Sequence, residues 1–202
     1  KRAFLVRAET AVLKNFKRVD VKTGKVKQQA IAMLQDRNLS SLVSRVKKAK
    51  KLNLQVFFSV KTHKPNSPFR AIISEKGTWL SEMSTYLQVH LEALNVVDPF
   101  TVKNSEGVVG VLRTRNPGSC TAFSIDIEDM LYSLPHGELM QSVKPCVVED
   151  NDEFKFVNSC GVSLESFLEL LMLYLRSMFV EWKGGIYVQK SGVCIGSRVA
   201  PI

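Results

Sequence analysis

The chain has 202 residues, 45% of them apolar, and no low-complexity tract, so it can bury a core and is not a disordered tail. Its net charge of +9 is unevenly distributed: residues 1–70 hold 18 Lys/Arg against 3 Asp/Glu, and residues 71–202 hold 10 against 16. This asymmetry is typical of a protein that neutralises nucleic-acid phosphates with one part and gathers metal-binding carboxylates in another. For the basic run of residues 45–51 alone, a solvated helix face is an equally good explanation.

No secretory signal is visible, and the most apolar stretch, residues 164–180, is interrupted by Glu165, Glu169 and Arg176. These charges argue against a membrane span, so we expect an intracellular protein without membrane contact.

Four scattered cysteines predict neither a disulfide framework nor a zinc site. Because the sequence starts at Lys1 and stops without a terminating signal, we interpret it as a piece of a longer polypeptide.

Residues 1–51 are predicted to be helical and basic. Apolar residues at helical spacing form two stripes, one of Phe4, Leu5, Ala8, Val12 and Phe16 and one of Leu39, Leu42, Val43 and Val46. Asn38 or Ser40 is the predicted cap of the second helix.

Two strands, residues 55–60 and 69–74, are predicted next, joined by the polar loop 61–68. This basic finger carries Lys61, Lys64 and Arg70. Arginine gives planar bidentate hydrogen bonds and lysine a point charge, so the three cations can clamp a triphosphate. Arg70 can equally be an exposed edge residue of a strand.

Helices are predicted over residues 80–96, 105–113, 139–147 and 164–180, and a tight hairpin over 182–188. The first of these helices should turn its leucines and a methionine inward, namely Leu80, Met83, Leu87, Leu91 and Leu94.

A further strand is predicted to end at Asp126. Ala122, Phe123 and Ile125 are apolar and β-prone, so we expect a strand buried on both faces that presents the Asp126 carboxylate at its exit, where it can hold Mg²⁺ against phosphates. The side chains of Glu128 and Asp129 are expected to turn elsewhere. An aspartate that merely closes a strand is the common alternative.

The last motif is the loop Gln189-x-x-Gly192-x-x-x-Gly196-Ser197. Its glycines remove side chains where a base pair and its sugar must lie flat against the backbone. Each glycine can also serve an ordinary turn, but the order of finger, aspartate and glycine loop along the chain favours a template-directed polymerase.

As an ordered set, residues 61–65, 68–74, 77–78, 123–135 and 192–202 resemble the reverse transcriptase domain of retrotransposons, most closely Penelope-like elements. The resemblance runs from about residue 54 to the end. It implies a right-hand polymerase that uses two Mg²⁺ ions to join a deoxynucleoside triphosphate to a DNA primer on an RNA template.

By position, Asp126 matches the family's first catalytic aspartate, and the Ile127 carbonyl is expected to help hold a metal. Arg70 matches the arginine that grips the incoming triphosphate, with Lys61 or Lys64 as its helper. The residues Gln189, Gly192, Gly196 and Ser197 match the loop that packs under the templating pair.

The sequence departs from the family pattern in several places. Leu131, followed by Tyr132, stands where an aromatic residue usually excludes a 2′-hydroxyl, so sugar discrimination is in doubt. Arg198 replaces the usual proline, and Ile195 replaces glutamine or methionine. The family's Asp-Asp motif and thumb are not in this sequence, so this chain by itself is expected not to polymerise.

The predicted fold is α+β: right-hand polymerase fingers and a partial palm, rich in helices, with a small and mostly antiparallel sheet. We expect a basic helical region at 1–53, fingers at 54–118 and a partial palm at 119–202. The predicted function is an RNA-directed DNA polymerase fragment of a transposable element, nuclear where it acts on DNA. The alternatives are a catalytically inert protein that binds RNA or RNA–DNA duplex, and an RNA-dependent RNA polymerase or telomerase-like relative.

Overall fold

The computed structural model describes residues 2–96, 101–102, 104–114 and 123–200. The elements in chain order are α1 (Arg2–Asn15), β1 (Phe16–Val19), α2 (Thr23–Asp36), α3 (Ser40–Lys48), β2 (Gln55–Val60), β3 (Phe69–Ser74), α4 (Trp79–Leu91), α5 (Ser105–Thr114), α6 (Met130–Ser133), α7 (His136–Val148), α8 (Glu153–Cys160), α9 (Leu164–Arg176), β4 (Phe179–Trp182) and β5 (Gly185–Gln189). The α+β class with small antiparallel sheets is confirmed.

The core extends from α1, α2 and α3 to the contact between α4 and α9, where its largest side chains lie. Trp79, Leu80 and Met83 on α4 and Phe167 and Tyr174 on α9 are fully buried. Each helix begins at a hydroxyl cap, since the side chains of Thr78 and Ser163 accept the backbone N–H groups of the residues three positions on. The predicted inward face of α4 is confirmed, although the helix ends at Leu91 rather than Val96.

The finger hairpin is confirmed with the predicted strand bounds. β2 and β3 pair antiparallel, with Ser59 opposite Arg70 and Phe57 opposite Ile72. Ala71 and Ile73 on one face of β3 are buried against the core, whereas Phe57 on the other face is half exposed. The hairpin therefore has one face anchored in the protein and one face open to solvent.

The second sheet has the order β1-β5-β4 and is antiparallel. The predicted hairpin near its end is confirmed: Lys183 and Gly184 both have positive φ, as the tight turn between β4 and β5 requires. Two further helix predictions were too long. Phe16 starts β1 instead of closing the first helix, and the helix predicted to reach residue 180 ends at Arg176 because the following residues pair with β5.

The prediction of a buried strand ending at Asp126 is wrong for its described part, residues 123–127, which form no strand. The side chains of Phe123, Ile125 and Ile127 are 83%, 78% and 62% exposed. No described strand pairs with this segment, so neither a hydrogen-bond ladder nor a covering layer is available to it. Ala122 and the boundary predicted after residue 118 lie outside the described residues.

The predicted cap of the second basic helix was also wrong. Leu39 occupies the N-cap position of α3 without a side-chain hydrogen bond, and Asn38 adopts a left-handed conformation instead. At the C-terminal end of α3, the buried Lys27 donates a hydrogen bond from Nζ to the Ala49 carbonyl oxygen at 2.6 Å. Carbonyl groups at the end of a helix have no backbone partner within the helix, and Lys27 supplies one.

No single helix in the described ranges is long and apolar enough to cross a membrane; α8 and α9 reach that length and composition only as a pair bent by 59°.

Candidate functional site

A cavity of about 490 Å³ opens between the tip of the finger hairpin and the turn that follows residue 126. Residues predicted for the site line much of it, namely Lys61, Lys64, Arg70, Asp126, Ile127 and Leu131. These residues come from segments far apart in sequence, so their convergence on one cavity is a result of the fold.

The basic wall of the cavity is built by the finger loop. The Lys61 N–H donates to the Pro68 carbonyl oxygen at 2.9 Å, and the Lys64 N–H donates to the Lys61 carbonyl oxygen at 3.1 Å. Asn66 and Ser67 adopt positive φ between these bonds, which folds the loop back on itself. The loop thereby holds the two lysines beside Arg70, and His63 completes this wall.

Asp129 faces that wall and is held by two lysines. Its carboxylate pairs with Lys14 of α1 and, at 3.6 Å, with Lys61. The hydrogen bond from Lys14 is the main cause that lowers the pKa of Asp129, and the charge of Lys61 lowers it further. Asp129 is therefore an anion that joins α1, the finger and the turn before α6.

The expectation that Glu128 and Asp129 turn away from the site is wrong, because both line the cavity. Glu128 is highly exposed and pairs with Lys14 at 3.2 Å. Asp129 reaches the cavity because it adopts a left-handed conformation with φ 48°, which reverses the chain just before α6. Asn and Asp tolerate this conformation, but the sequence alone does not say which aspartate of the run adopts it.

Asp126 is the open carboxylate of the cavity. Its side chain is exposed, and within the described residues it has neither a hydrogen-bond nor an ion-pair partner. A partnerless carboxylate beside a basic wall can accept a divalent cation. In the described part of the chain, however, no three His, Cys, Asp or Glu side chains come together to hold a metal ion, so Asp126 fits as one ligand of Mg²⁺ and not as a complete site.

The glycine loop packs backbone against backbone. A Cβ atom on Gly192 would overlap the Leu131 carbonyl oxygen and lie 2.8 Å from Tyr132 Cα, and one on Gly196 would overlap the Ile73 carbonyl oxygen. Hydrogen bonds fasten both contacts: Val193 N–H to Leu131 O at 2.7 Å and Ile73 N–H to Ile195 O at 2.9 Å. The space freed by the glycines is thus filled by this protein's own backbone, which corrects the expectation that it is kept for a base pair and its sugar.

Besides Gly192, three predicted site residues are buried and do not line the cavity. The Tyr132 hydroxyl donates to the Ala71 carbonyl oxygen at 3.1 Å, and burial raises the pKa of Tyr132. Gln189 Nε2 donates to the Ser191 carbonyl oxygen at 2.6 Å, and Ser197 Oγ lies 2.7 Å from the Tyr174 hydroxyl. Their side chains hold the loop in place, and of the pair Leu131 and Tyr132 only Leu131 faces the cavity.

Sequence reasoning missed two contributors, Lys14 and Glu75. Lys14 lies in a helix with several other lysines nearby in sequence, so nothing marks it as the partner of Asp129. Glu75 lies in a polar turn whose sequence predicts exposure to solvent, yet the residue is buried. Burial is the main cause that raises the pKa of Glu75. Neither pairing has a signal in the sequence, because each partner lies on a distant element.

A second cavity of about 560 Å³ lies on the open face of the finger hairpin. It is lined by the apolar residues Phe57 and Ile72, by the cations Lys76 and Arg198, and by Glu75. Gly196 borders this cavity and its neighbour Ile195 borders the first, so the two cavities meet at the glycine loop.

Comparison with known protein families, with curated proteins and with solved structures gave no match for this chain. The site itself combines three cations, one open carboxylate and a loop that closes one side.

Proposed function

We propose that this chain is the fingers and the first part of the palm of an RNA-directed DNA polymerase of a transposable element. The observation that supports this best is the shared cavity of Arg70, Lys61, Lys64 and Asp126. A triphosphate with its divalent cation carries charges of both signs in one small volume, and this cavity is lined both by cations and by a free carboxylate.

Arg70 and Lys64 are the groups proposed to bind the phosphates first, because neither forms an ion pair in the described residues. Lys61 can join them by exchanging its 3.6 Å contact with Asp129 for a phosphate oxygen. Since Lys14 remains on Asp129, no carboxylate is left unpaired by that exchange. Because Lys14 and Lys61 share Asp129, moving Lys61 to a phosphate costs less free energy than breaking the only ion pair of that carboxylate.

Asp126 and the Ile127 carbonyl are proposed as ligands of Mg²⁺. The metal, when bound, would supply charge neutralisation at the phosphates and activation of the primer hydroxyl. Since the described residues contain no set of three ligands, the proposal requires further carboxylates from palm segments outside this sequence.

The second cavity supports the proposed RNA template and DNA primer as partners. A single strand crossing the open face of the finger would meet Phe57 as a stacking surface and Lys76 and Arg198 as phosphate partners. Because Gly196 borders this cavity and its neighbour Ile195 borders the first, a template base on this face would lie near the incoming nucleotide.

A second candidate function is binding of RNA or RNA–DNA duplex without chemistry. The charge of residues 1–70 favours it independently of the cavity, since phosphate contacts alone give affinity for nucleic acid. The two candidates differ in whether Asp126 and Arg70 are needed for nucleotide addition.

Nucleic-acid binding is expected to be strongly salt-dependent in either case. About five phosphate contacts predict a loss of affinity of roughly 100-fold for single-stranded RNA between 50 and 200 mM salt. A titration by fluorescence anisotropy at several salt concentrations measures this slope. Binding that is indifferent to salt, or absent at low salt, would contradict both functions.

Two matched double variants locate the binding surface in the same titration. Lys64→Ala with Arg70→Ala removes two cavity cations, and Lys47→Ala with Lys48→Ala removes two exposed cations of α3. We expect the cavity pair to reduce the salt slope by about one to two contacts and the α3 pair to reduce it less.

Arg70→Ala is expected to weaken nucleotide use far more than stability. An exposed arginine contributes within about 0.5 kcal/mol to folding, whereas charged hydrogen bonds to a triphosphate contribute about 1.5–3 kcal/mol, or roughly 10- to 100-fold. Polymerisation at limiting nucleotide, measured in a polypeptide extended through the remaining palm and thumb, and thermal melting test this together.

Arg18→Ala is the control for Arg70→Ala, because Arg18 is also an exposed arginine on a strand but lies away from the cavity. We expect both variants to melt within a few degrees of the parent and only Arg70→Ala to need more nucleotide. A parallel loss of melting temperature and nucleotide use in Arg70→Ala would mark the residue as structural.

A further inference from the structure

Glu75 is an ionisable side chain that is almost fully buried. It follows β3 directly, and only 5% of its surface is exposed. Its Oε2 accepts a hydrogen bond from Ser84 Oγ of α4 at 2.6 Å, and its Oε1 accepts one from the Tyr174 hydroxyl of α9. A carboxylate in such a place is costly unless its oxygens are satisfied, so these donors are part of what keeps it there.

The donor and the acceptor of each hydrogen bond in this cluster can be assigned. The Tyr174 hydroxyl has one proton, which it donates to Glu75. Ser197 Oγ lies 2.7 Å from the same Tyr174 oxygen and accepts the Val199 N–H at 3.1 Å, which leaves its own proton for Tyr174. The result is a chain of hydrogen bonds from Ser197 through Tyr174 to Glu75.

This chain ends on the glycine loop. The loop meets β3 at Ile73 and α6 at Leu131 through backbone hydrogen bonds. Arg198, the next residue, also acts on Glu75, since its backbone N–H and its charge both lower the pKa of that carboxyl. Ser197 and Arg198 thus bring the loop to a single buried carboxylate at the end of the finger strand.

We propose that Glu75 is a positioning residue, which holds the loop of residues 192–197 against β3 through Tyr174 and Ser197. Ile195 of this loop lines the cavity assigned to the nucleotide. The inference rests on the proposed function only in assigning the loop a role in nucleotide binding. The loop is held in place by a buried polar cluster, whose carboxylate Glu75 also lies at the wall of the second cavity.

Tyr174→Phe and Ser84→Ala form the matched pair that tests this. Each removes one hydroxyl donor from the same carboxylate and keeps the rest of the side chain that packs, but only Tyr174 connects Glu75 to the loop. Amide hydrogen exchange on the whole 202-residue chain reports whether the loop stays in place. The two informative amides are Ile73 N–H, which donates to Ile195 O, and Val193 N–H, which donates to Leu131 O.

In Tyr174→Phe, exchange at these two amides is expected to be at least tenfold faster than in the parent, while amides in the middle of α4 keep their rates. In Ser84→Ala the two loop amides should keep the parent rates. Equal acceleration in both variants, or none in Tyr174→Phe, would overturn the proposal. Should Tyr174→Phe fail to fold, Ser197→Ala removes the other end of the same chain of hydrogen bonds and is read in the same way.

The second measurement is the KM for deoxynucleotide in the extended polypeptide. Tyr174→Phe should raise it at least fivefold with a smaller change in kcat, and Ser84→Ala should leave it within twofold. A KM that rises equally in both variants would overturn the positioning role. If the parent shows no nucleotide addition, the proposed function fails, while the exchange comparison still decides whether the chain of hydrogen bonds from Ser197 through Tyr174 to Glu75 holds the loop.

Discussion

Replacing Asp126 by asparagine is expected to abolish nucleotide addition in a polypeptide that extends through the remaining palm and thumb. The amide keeps the shape of the side chain but loses the charge that would hold Mg²⁺. Loss of about 4 kcal/mol of transition-state stabilisation corresponds to a rate roughly 1000-fold lower. Single-turnover extension of a primer on an RNA template measures the effect.

The same substitution should leave the fold nearly unchanged. Asp126 is exposed and has no hydrogen-bond or ion-pair partner within the described residues, so the free energy of unfolding should move by no more than about 0.5 kcal/mol. RNA binding should also persist, since it depends on the cations.

Glu128→Gln is the matched control for Asp126→Asn. Glu128 lines the same cavity and its replacement is chemically equivalent, but its carboxylate is exposed and pairs with Lys14. We expect less than a fivefold change in rate. An active Asp126→Asn variant would remove Asp126 from the proposed mechanism, and equal losses in both variants would indicate a general effect of cavity charge.

Gly192→Ala is expected to be the most destabilising single methyl addition in the glycine loop. The new Cβ would overlap the Leu131 carbonyl oxygen and crowd Tyr132, and Gly192 also has φ 73°. Backbone atoms cannot move aside as a flexible side chain can, so overpacking adds about 1–3 kcal/mol to a strain of about 1–2 kcal/mol. Thermal and urea unfolding of the whole chain measure the sum.

Gly161→Ala separates the two contributions. Gly161 has φ 75°, nearly the same as Gly192, but no atom lies within 4 Å of the Cβ position. It should therefore show the conformational strain alone, about 1–2 kcal/mol. Equal destabilisation in the two variants would mean that the loop does not need the close backbone contact with Leu131.

Local patterns were sufficient for much of the fold. The finger hairpin was predicted with its observed strand bounds because a polar loop with two prolines separates two β-prone runs. The inward face of α4 followed from the helical spacing of Leu80, Met83 and Leu87. The turn at Lys183 and Gly184 followed from its glycines.

Predictions that depended on a distant partner were less successful. Phe16 continues an apolar stripe with Val12, but it starts a strand because β5 is available to pair with it. Residues 123–127 have strand-forming composition, yet no described strand lies beside them and their apolar side chains are exposed. Propensity is a weak guide wherever pairing decides the outcome.

For the candidate site, the sequence by itself determined which chemical groups are present: the cations of the finger, Asp126 and the glycines of the loop. Only the tertiary structure decided which of them meet, that Lys14 and Lys61 share Asp129, that Gly192 and Gly196 admit backbone instead of substrate, and that Glu75 is buried beside Tyr174 and Ser197. The reason is physical: turn chemistry and helical spacing act between near neighbours in sequence, whereas burial and ion pairing depend on elements that only folding brings together.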